Sequence, residues 1–107
     1  MRSNFDRQLA QLNTELTQMG ETCAKAISLA AQALEERDVS KAVPVAELEA
    51  QTNEQERSIE ALCLKLLLQQ QPVARDLRQI SAALKMITDL ERIGDQAEDI
   101  VDLIPKM

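Results

Sequence analysis

FDRQLAQLNTELTQMGETCAKAISLAAQA, residues 5–33, is the stretch on which the fold turns. Its apolar positions, Phe5, Leu9, Leu12, Leu16, Met19, Cys23, Ala26, Ala30 and Ala33, are separated alternately by four and three residues. Such alternation holds one stripe on one side of an α-helix, because its mean step of 3.5 residues is close to a turn. The pattern predicts one long amphipathic helix over about 4–37. Ser3 is its expected N-cap, and Asp6 falls in the first turn, where a carboxylate meets the positive end of the helix dipole.

Outward from this stretch the same logic repeats. Arg37-Asp38-Val39-Ser40 breaks the pattern, with Asp38 or Ser40 able to cap a second helix and Pro44 tolerable near its first turn. Helix 2, about 39–70, has the seam Val45, Leu48, Thr52, Gln55, Ile59, Leu62 and Leu66, polar in the middle. Gln69-Gln70-Gln71-Pro72 is the expected stop, since proline bars its predecessor from helical geometry while suiting the next helix start. Helix 3, about 73–104, carries Leu77, Ile80, Leu84, Ile87, Leu90, Gly94, Ala97, Val101 and Ile104, and Pro105 ends it. Long stripes joined by short connections are buried by folding back side by side. The expectation is an all-α, up-down-up three-helix bundle of long antiparallel helices, one domain over 1–107. Leu64, Leu67 and Leu68 widen the apolar face of helix 2 beyond one seam, which points to a further contact surface.

Composition removes several functions. There is no histidine among the 107 residues, so Ser-His-Asp and Cys-His hydrolysis, His-type zinc sites and Glu-x-x-His di-iron sites are excluded. With 12 Lys and Arg against 18 Asp and Glu, and Phe5 as the one aromatic residue, no nucleic-acid partner is expected. Lys65 splits the apolar run Ala61–Leu68, so no membrane insertion is expected. The opening Met-Arg-Ser-Asn-Phe-Asp lacks the apolar region of a secretory signal, and a cytoplasmic location is expected. Cys23 is level with residue 54 or so, about nine residues from Cys63, or ~14 Å at 1.5 Å per residue. A disulfide requires Cα atoms within about 7 Å, so both thiols are read as core-filling.

Acids are concentrated in two rows at steps of 4, 3 and 4: Glu49, Asn53, Glu56 and Glu60 on helix 2, and Glu91, Asp95, Glu98 and Asp102 on helix 3. Each row lies beside the seam. In a hairpin centred near Pro72, Glu49 faces Asp95 and Asn53 faces Glu91, while Glu56 and Glu60 come level with Thr88 and Leu84. Three carboxylates and an amide then share one patch. A hard cation such as Mg²⁺, Ca²⁺, Mn²⁺ or ferric iron would offset their repulsion, and a solvated acidic face is the plainer alternative. Gly94, which costs about 1 kcal/mol against alanine in a helix, points to close backbone approach between Glu91 and Asp95.

Asp89-Leu90-Glu91-Arg92-Ile93-Gly94-Asp95 resembles the signature of the PhoU family, bacterial regulators of phosphate uptake. Gln71-Pro72-Val73-Ala74-Arg75-Asp76-Leu77-Arg78 is similar to that family's hairpin segment, and Phe5, Leu9 and Leu12 to its opening. The resemblance implies a three-helix repeat bearing two Glu/Asp-x-x-x-Asp motifs, which in some members hold multinuclear iron or zinc clusters. Here the second motif is Glu91 and Asp95, and the first is Glu49 and Asn53, with asparagine where aspartate is usual. The implied metal ligands are therefore Glu49, Asn53, Glu91 and Asp95, for an Fe, Zn, Mn or Mg ion. Members usually carry two such repeats, about twice this length, so a homodimer or higher oligomer is expected to supply the second bundle.

The function implied is that of a non-catalytic regulator of phosphate uptake and starvation signalling, peripheral to the cytoplasmic face of the membrane. The partners implied are a sensor histidine kinase and the ATPase of a phosphate ABC transporter. Two other readings are a metal-free helical interaction module and a carboxylate-metal enzyme. The second lacks a nucleophile beside a base and a glycine-rich phosphate cradle.

Overall fold

In a computed structural model that describes residues 2–69 and 72–107, the chain forms three long helices. They are α1 (Arg2–Glu36), α2 (Ala42–Gln69) and α3 (Ala74–Leu103), with short 3-10 turns at Val39–Lys41 and Ile104–Lys106. Each helix packs against both others, as the up-down-up bundle requires. The bundle measures 55 × 17 × 16 Å, its long axis close to the ~52 Å expected of the 35-residue α1.

The ends of the helices follow local chemistry. Ser3 is not the N-cap, because α1 begins at Arg2 and takes Ser3 into its first turn. At the other end Arg37 adopts φ 54°, the left-handed conformation. There the Asp38 N–H reaches Ala33 O at 2.9 Å and the Arg37 N–H reaches Leu34 O at 3.3 Å. These are the two bonds of a Schellman motif, closed here without the usual glycine. Asp38 then caps the 3-10 turn, its Oδ1 accepting from the Ser40 N–H at 3.0 Å. Pro44 sits in the first turn of α2. The predicted stop of helix 2 at Gln70 and Gln71 lies outside the described residues. Asp76, 1% exposed, stands at the third position of α3 and accepts from the Val73 N–H at 3.1 Å. This is the returning half of a capping box, and it makes a buried carboxylate structural.

Two apolar clusters fill the bundle. At the hairpin end Phe5, Leu12, Met19, Ile59, Leu66, Ile80 and Ile87 pack with Leu9, Leu62, Cys63 and Ala83. At the other end the core is Ala26, Ala30, Ala33, Val45, Ala97, Val101 and Ile104. The α1 seam is buried throughout, Leu16 and its half-buried rim position aside. On α3 the seam differs from the expected one: Leu77 is exposed and Leu84 half-buried, while Ala83 is buried. Ala83 takes the buried position of the seam, and Leu84 beside it packs against the same cluster from the edge.

Candidate functional site

Between the two apolar clusters lies a polar layer made by Thr22 and Cys23 of α1, Glu49 and Thr52 of α2 and Gly94 of α3, all buried. Helical residues with free hydroxyls satisfy themselves locally: Thr22 Oγ1 donates to Gln18 O at 3.0 Å and Thr52 Oγ1 to Leu48 O at 2.9 Å. Cys23 Sγ donates across the bundle to Leu90 O at 3.2 Å. Cys23 and Cys63 are both buried free thiols. Burial pushes both thiols up, Cys63 to about 11, so neither is poised as a thiolate.

Glu49 has no such local solution. Its residue is 8% exposed, and its Oε2 has no hydrogen-bond donor. A Cβ added at Gly94 would stand 3.3 Å from that oxygen and 3.8 Å from Thr52 Cγ2. Glycine therefore makes room for the carboxyl: what comes close at Gly94 is side chain, Glu49 and Thr52, and not the backbone that its place on the seam predicted. The Glu49 carboxyl is within hydrogen-bonding reach of Asp95, yet two ionised carboxylates have no proton to share. Burial first, then the Asp95 contact and the charges of Asp95, Glu98 and Glu91, push Glu49 up to about 8. A proton held there would supply the missing donor.

Nearer the hairpin, about two turns along α2 and one along α3, a second pair repeats the arrangement. Glu56 is within hydrogen-bonding reach of Glu91, and that contact, with burial and the charges of Glu91 and Glu60, raises Glu56 to about 7 against a small opposing pull from Arg57. The predicted register thus holds for Glu49 and Asp95 and fails for Glu56, which meets Glu91 and not Thr88. Asn53 is half-buried, between Glu49 and Glu56 along α2. Level counting treats side chains as perpendicular to the axis, whereas both lean toward the N-terminus of their own helix. In an antiparallel hairpin the lean carries the α2 tips away from the turn and the α3 tips toward it. The lean accounts for Glu56, whose tip meets Glu91, three residues farther along α3 than its Cα level, while Glu49 meets Asp95 at the level counted. The signal for Glu56 was present: it follows Glu49 by one heptad and so occupies the same edge.

Among the described residues no three Asp, Glu or Cys side chains converge at metal-holding distance. The acids meet in twos. Such a pair, open to solvent on one side, can take a shared proton or an oxygen-preferring cation whose remaining ligands are water.

Comparison with known proteins places this geometry in a family. Residues 16–104 match the family model described as the PhoU domain. The phosphate-specific transport system accessory protein PhoU homolog of Synechocystis is 36% identical over 106 residues, 99% of this chain and 47% of the relative. The homolog of Pseudomonas putida is 40% identical over 96 residues, 90% of this chain and 38% of its own. The PhoU accessory protein of Escherichia coli is 33% identical over 96 residues, 90% of this chain and 40% of its own. The chain thus spans about half the length, or less, of the curated relatives it matches. With the matched region running from the middle of α1 to the last turn of α3 and containing both carboxylate pairs, the chain belongs to the PhoU family.

Proposed function

We propose that this bundle is a non-catalytic regulator of phosphate transport and phosphate-starvation signalling, and that its α2–α3 acid edge takes up a hard cation. The regulatory reading is carried by the match of 90–99% of the chain to proteins named as accessory to phosphate-specific transport. Its partners are a sensor histidine kinase and the ATPase of a phosphate ABC transporter, met at the cytoplasmic face of the membrane. No helix among the described residues is long and apolar enough to cross a membrane, which is compatible with that peripheral role. Co-purification with the kinase and the ATPase, repeated with phosphate varied, tests the reading. Association that responds to phosphate is the expected result; no association at any phosphate level overturns it.

What supports the cation is the donor set and one orphaned atom. Glu49, Asp95 and Glu91 offer carboxylate oxygens and Asn53 a neutral amide oxygen, a set suited to Mg, Mn, ferric Fe or carboxylate-bound Zn. Glu49 Oε2, buried without a donor, gains a partner when a cation binds. The pairing in twos favours an ion that keeps much of its water. Elemental analysis of untagged protein and melting curves with added Mn²⁺ test this: a bound equivalent and a rise in Tm of several degrees near pH 8, both lost in Asp95→Ala. A second reading, the metal-free interaction module, is favoured by the same pairing, because one proton per pair also removes the conflict. It predicts no bound metal and no Mn²⁺ effect on Tm.

A further inference from the structure

The groove between α1 and α2 lies on the side of α2 away from the acid edge. Toward the α1–α2 turn it opens into a cavity of about 490 Å³ lined by Ala24, Lys25, Ser28, Leu29, Gln32 and Leu48. Leu29 and Leu48 are half-buried against the alanine cluster, whose small side chains leave them at the bottom of an apolar trough. Toward the hairpin end a second cavity of about 400 Å³ is lined by Glu15, Gln18, Gln51, Glu54, Gln55 and Ser58. On α1 the lining residues Glu15, Gln18, Lys25, Leu29 and Gln32 follow at steps of 3, 7, 4 and 3, and on α2 Leu48, Gln51, Gln55 and Ser58 at 3, 4 and 3, so the cavities are successive parts of one groove. The second is rich in oxygen and poor in cations. Glu15 accepts from Gln11 Nε2 at 2.9 Å and from Ser58 Oγ at 2.7 Å, both neutral donors. Among the described residues neither Glu15 nor Glu54 has a Lys or Arg at ion-pair distance, and Gln55 Oε1 has no donor.

We propose that this groove receives a helical segment of a partner protein, which seats an apolar side chain on Leu29 and Leu48 and an arginine or lysine at Glu15 and Glu54. Charge complementarity selects the basic end. A guanidinium offers five N–H donors, enough to serve the carboxylates together with the amide oxygens of Gln18, Gln51 and Gln55. The same acids repel an anionic membrane surface and, on a chain of net charge −6, a second copy. Backbone chemistry selects the helix. Both walls are helices whose N–H and C=O groups are spent internally, so an extended segment would leave its own unpaired, whereas a helix satisfies them itself. Spacing follows from the walls: Leu48 to Gln55 is seven residues of α2 and Gln18 to Leu29 eleven of α1, about 10–16 Å at 1.5 Å per residue. The incoming helix therefore carries its base about two to three turns from its apolar anchor, on one face. Lys25, between the cavities, sets the direction, because a helix laid the other way would bring its base beside that ammonium and its apolar residue among the amides.

Nuclear magnetic resonance titration of the isotope-labelled chain with an alanine-rich helical peptide, bearing leucines on one face and arginines about two turns away, tests the proposal. The expected result is saturable binding with amide shifts along residues 15–32 and 48–58. Glu54→Lys weakens it roughly fivefold at low ionic strength, the effect of reversing one rim charge. Ser28→Lys, which places a charged chain in the apolar trough, weakens it roughly tenfold. Asp99→Lys makes the same charge change as Glu54→Lys on the outer side of α3 and leaves the affinity within about twofold. All three positions are exposed, so the variants keep their helical circular dichroism. The proposal is overturned by no saturable shift at millimolar peptide, by shifts that fall on the α2–α3 edge instead, or by equal affinity for the peptide with glutamates in place of its arginines. Indifference to Glu54→Lys or to Ser28→Lys overturns it as well, as does displacement of the peptide by an excess of the unlabelled chain.

Discussion

The hairpin half of the core is built from Phe5, Leu12, Met19, Ile59, Leu66, Ile80 and Ile87, whereas the opposite half rests mainly on Ala26, Ala30, Ala33 and Ala97 with Val45, Val101 and Ile104. Large side chains hold helices apart and contribute most of the burial free energy; small ones contribute less and let backbones approach. The carboxylate pairs fall where the bundle passes from the first regime to the second. Gly94 is the extreme of that trend, and there α3 leaves space for an ionisable group on α2. Stability and site thus divide along the same rods: the large side chains of one half supply most of the burial, and the carboxylate pairs lie where they give way to alanine.

The largest effects separate the halves directly. Leu12→Ala, in the hairpin half, should lower unfolding free energy by about 3 kcal/mol through lost burial and a residual cavity. Ala30→Leu should destabilise for the opposite reason, by roughly 1–3 kcal/mol, because the alanine half has no room for a larger side chain. Urea titrations with an unchanged m-value check both. If Ala30→Leu were neutral, the alanine half would be loose rather than close, and the proposed gradient would fail.

Much of this division can be read from the α1 heptads, where the change from Phe, Leu and Met to alanine is printed in the sequence. The α3 seam is harder. Periodicity weights large apolar residues, so Leu77 and Leu84 masked Ala83, whose contribution depends on how near the helices come. Asp76 was also hidden, since its burial depends on the Val73 N–H it caps and not on hydropathy. At the site, Glu49 with Asp95 followed from counting, but Glu56 with Glu91 required the lean of side chains along their helices. The missing donor at Glu49 Oε2 has no sequence signal, being a property of burial and neighbours together.

The polar layer offers an intermediate effect, and its sign is set by the raised carboxyls. Glu49 near 8 and Glu56 near 7 in the folded state lie above the 4.5 of an unperturbed glutamate, so the folded chain binds more protons between those values. Their contribution is fully present below about pH 4.5 and is lost as pH rises through 7 and 8. Tm should therefore fall between pH 6 and pH 9 in metal-free buffer. Glu49→Gln, whose amide can donate to Asp95 without ionising, should flatten the upper part of that fall and stabilise the protein at pH 9 by about 1–2 kcal/mol. Glu56→Gln should flatten the lower part. An unaltered pH profile in both variants would place the strain outside these pairs and remove the site from the comparison of the two halves.

The smallest effect isolates the close approach itself. The chain has two glycines, both inside helices, and alanine should favour either helix by about 0.5–1 kcal/mol on propensity alone. At Gly20 nothing stands within 4 Å of an added Cβ, so Gly20→Ala should realise that gain. At Gly94 the added methyl would lie 3.3 Å from Glu49 Oε2, tight enough that the carboxyl must yield by a few tenths of an ångström. Its far end is mobile, so Gly94→Ala should fold; the shift should cancel the propensity gain and change the pH dependence that Glu49 contributes. Parallel melts of the two variants at pH 6 and pH 9 measure the difference. Equal stabilisation at both pH values would mean that the glycine is incidental, and that the Glu49 carboxyl does not depend on the space Gly94 leaves for it.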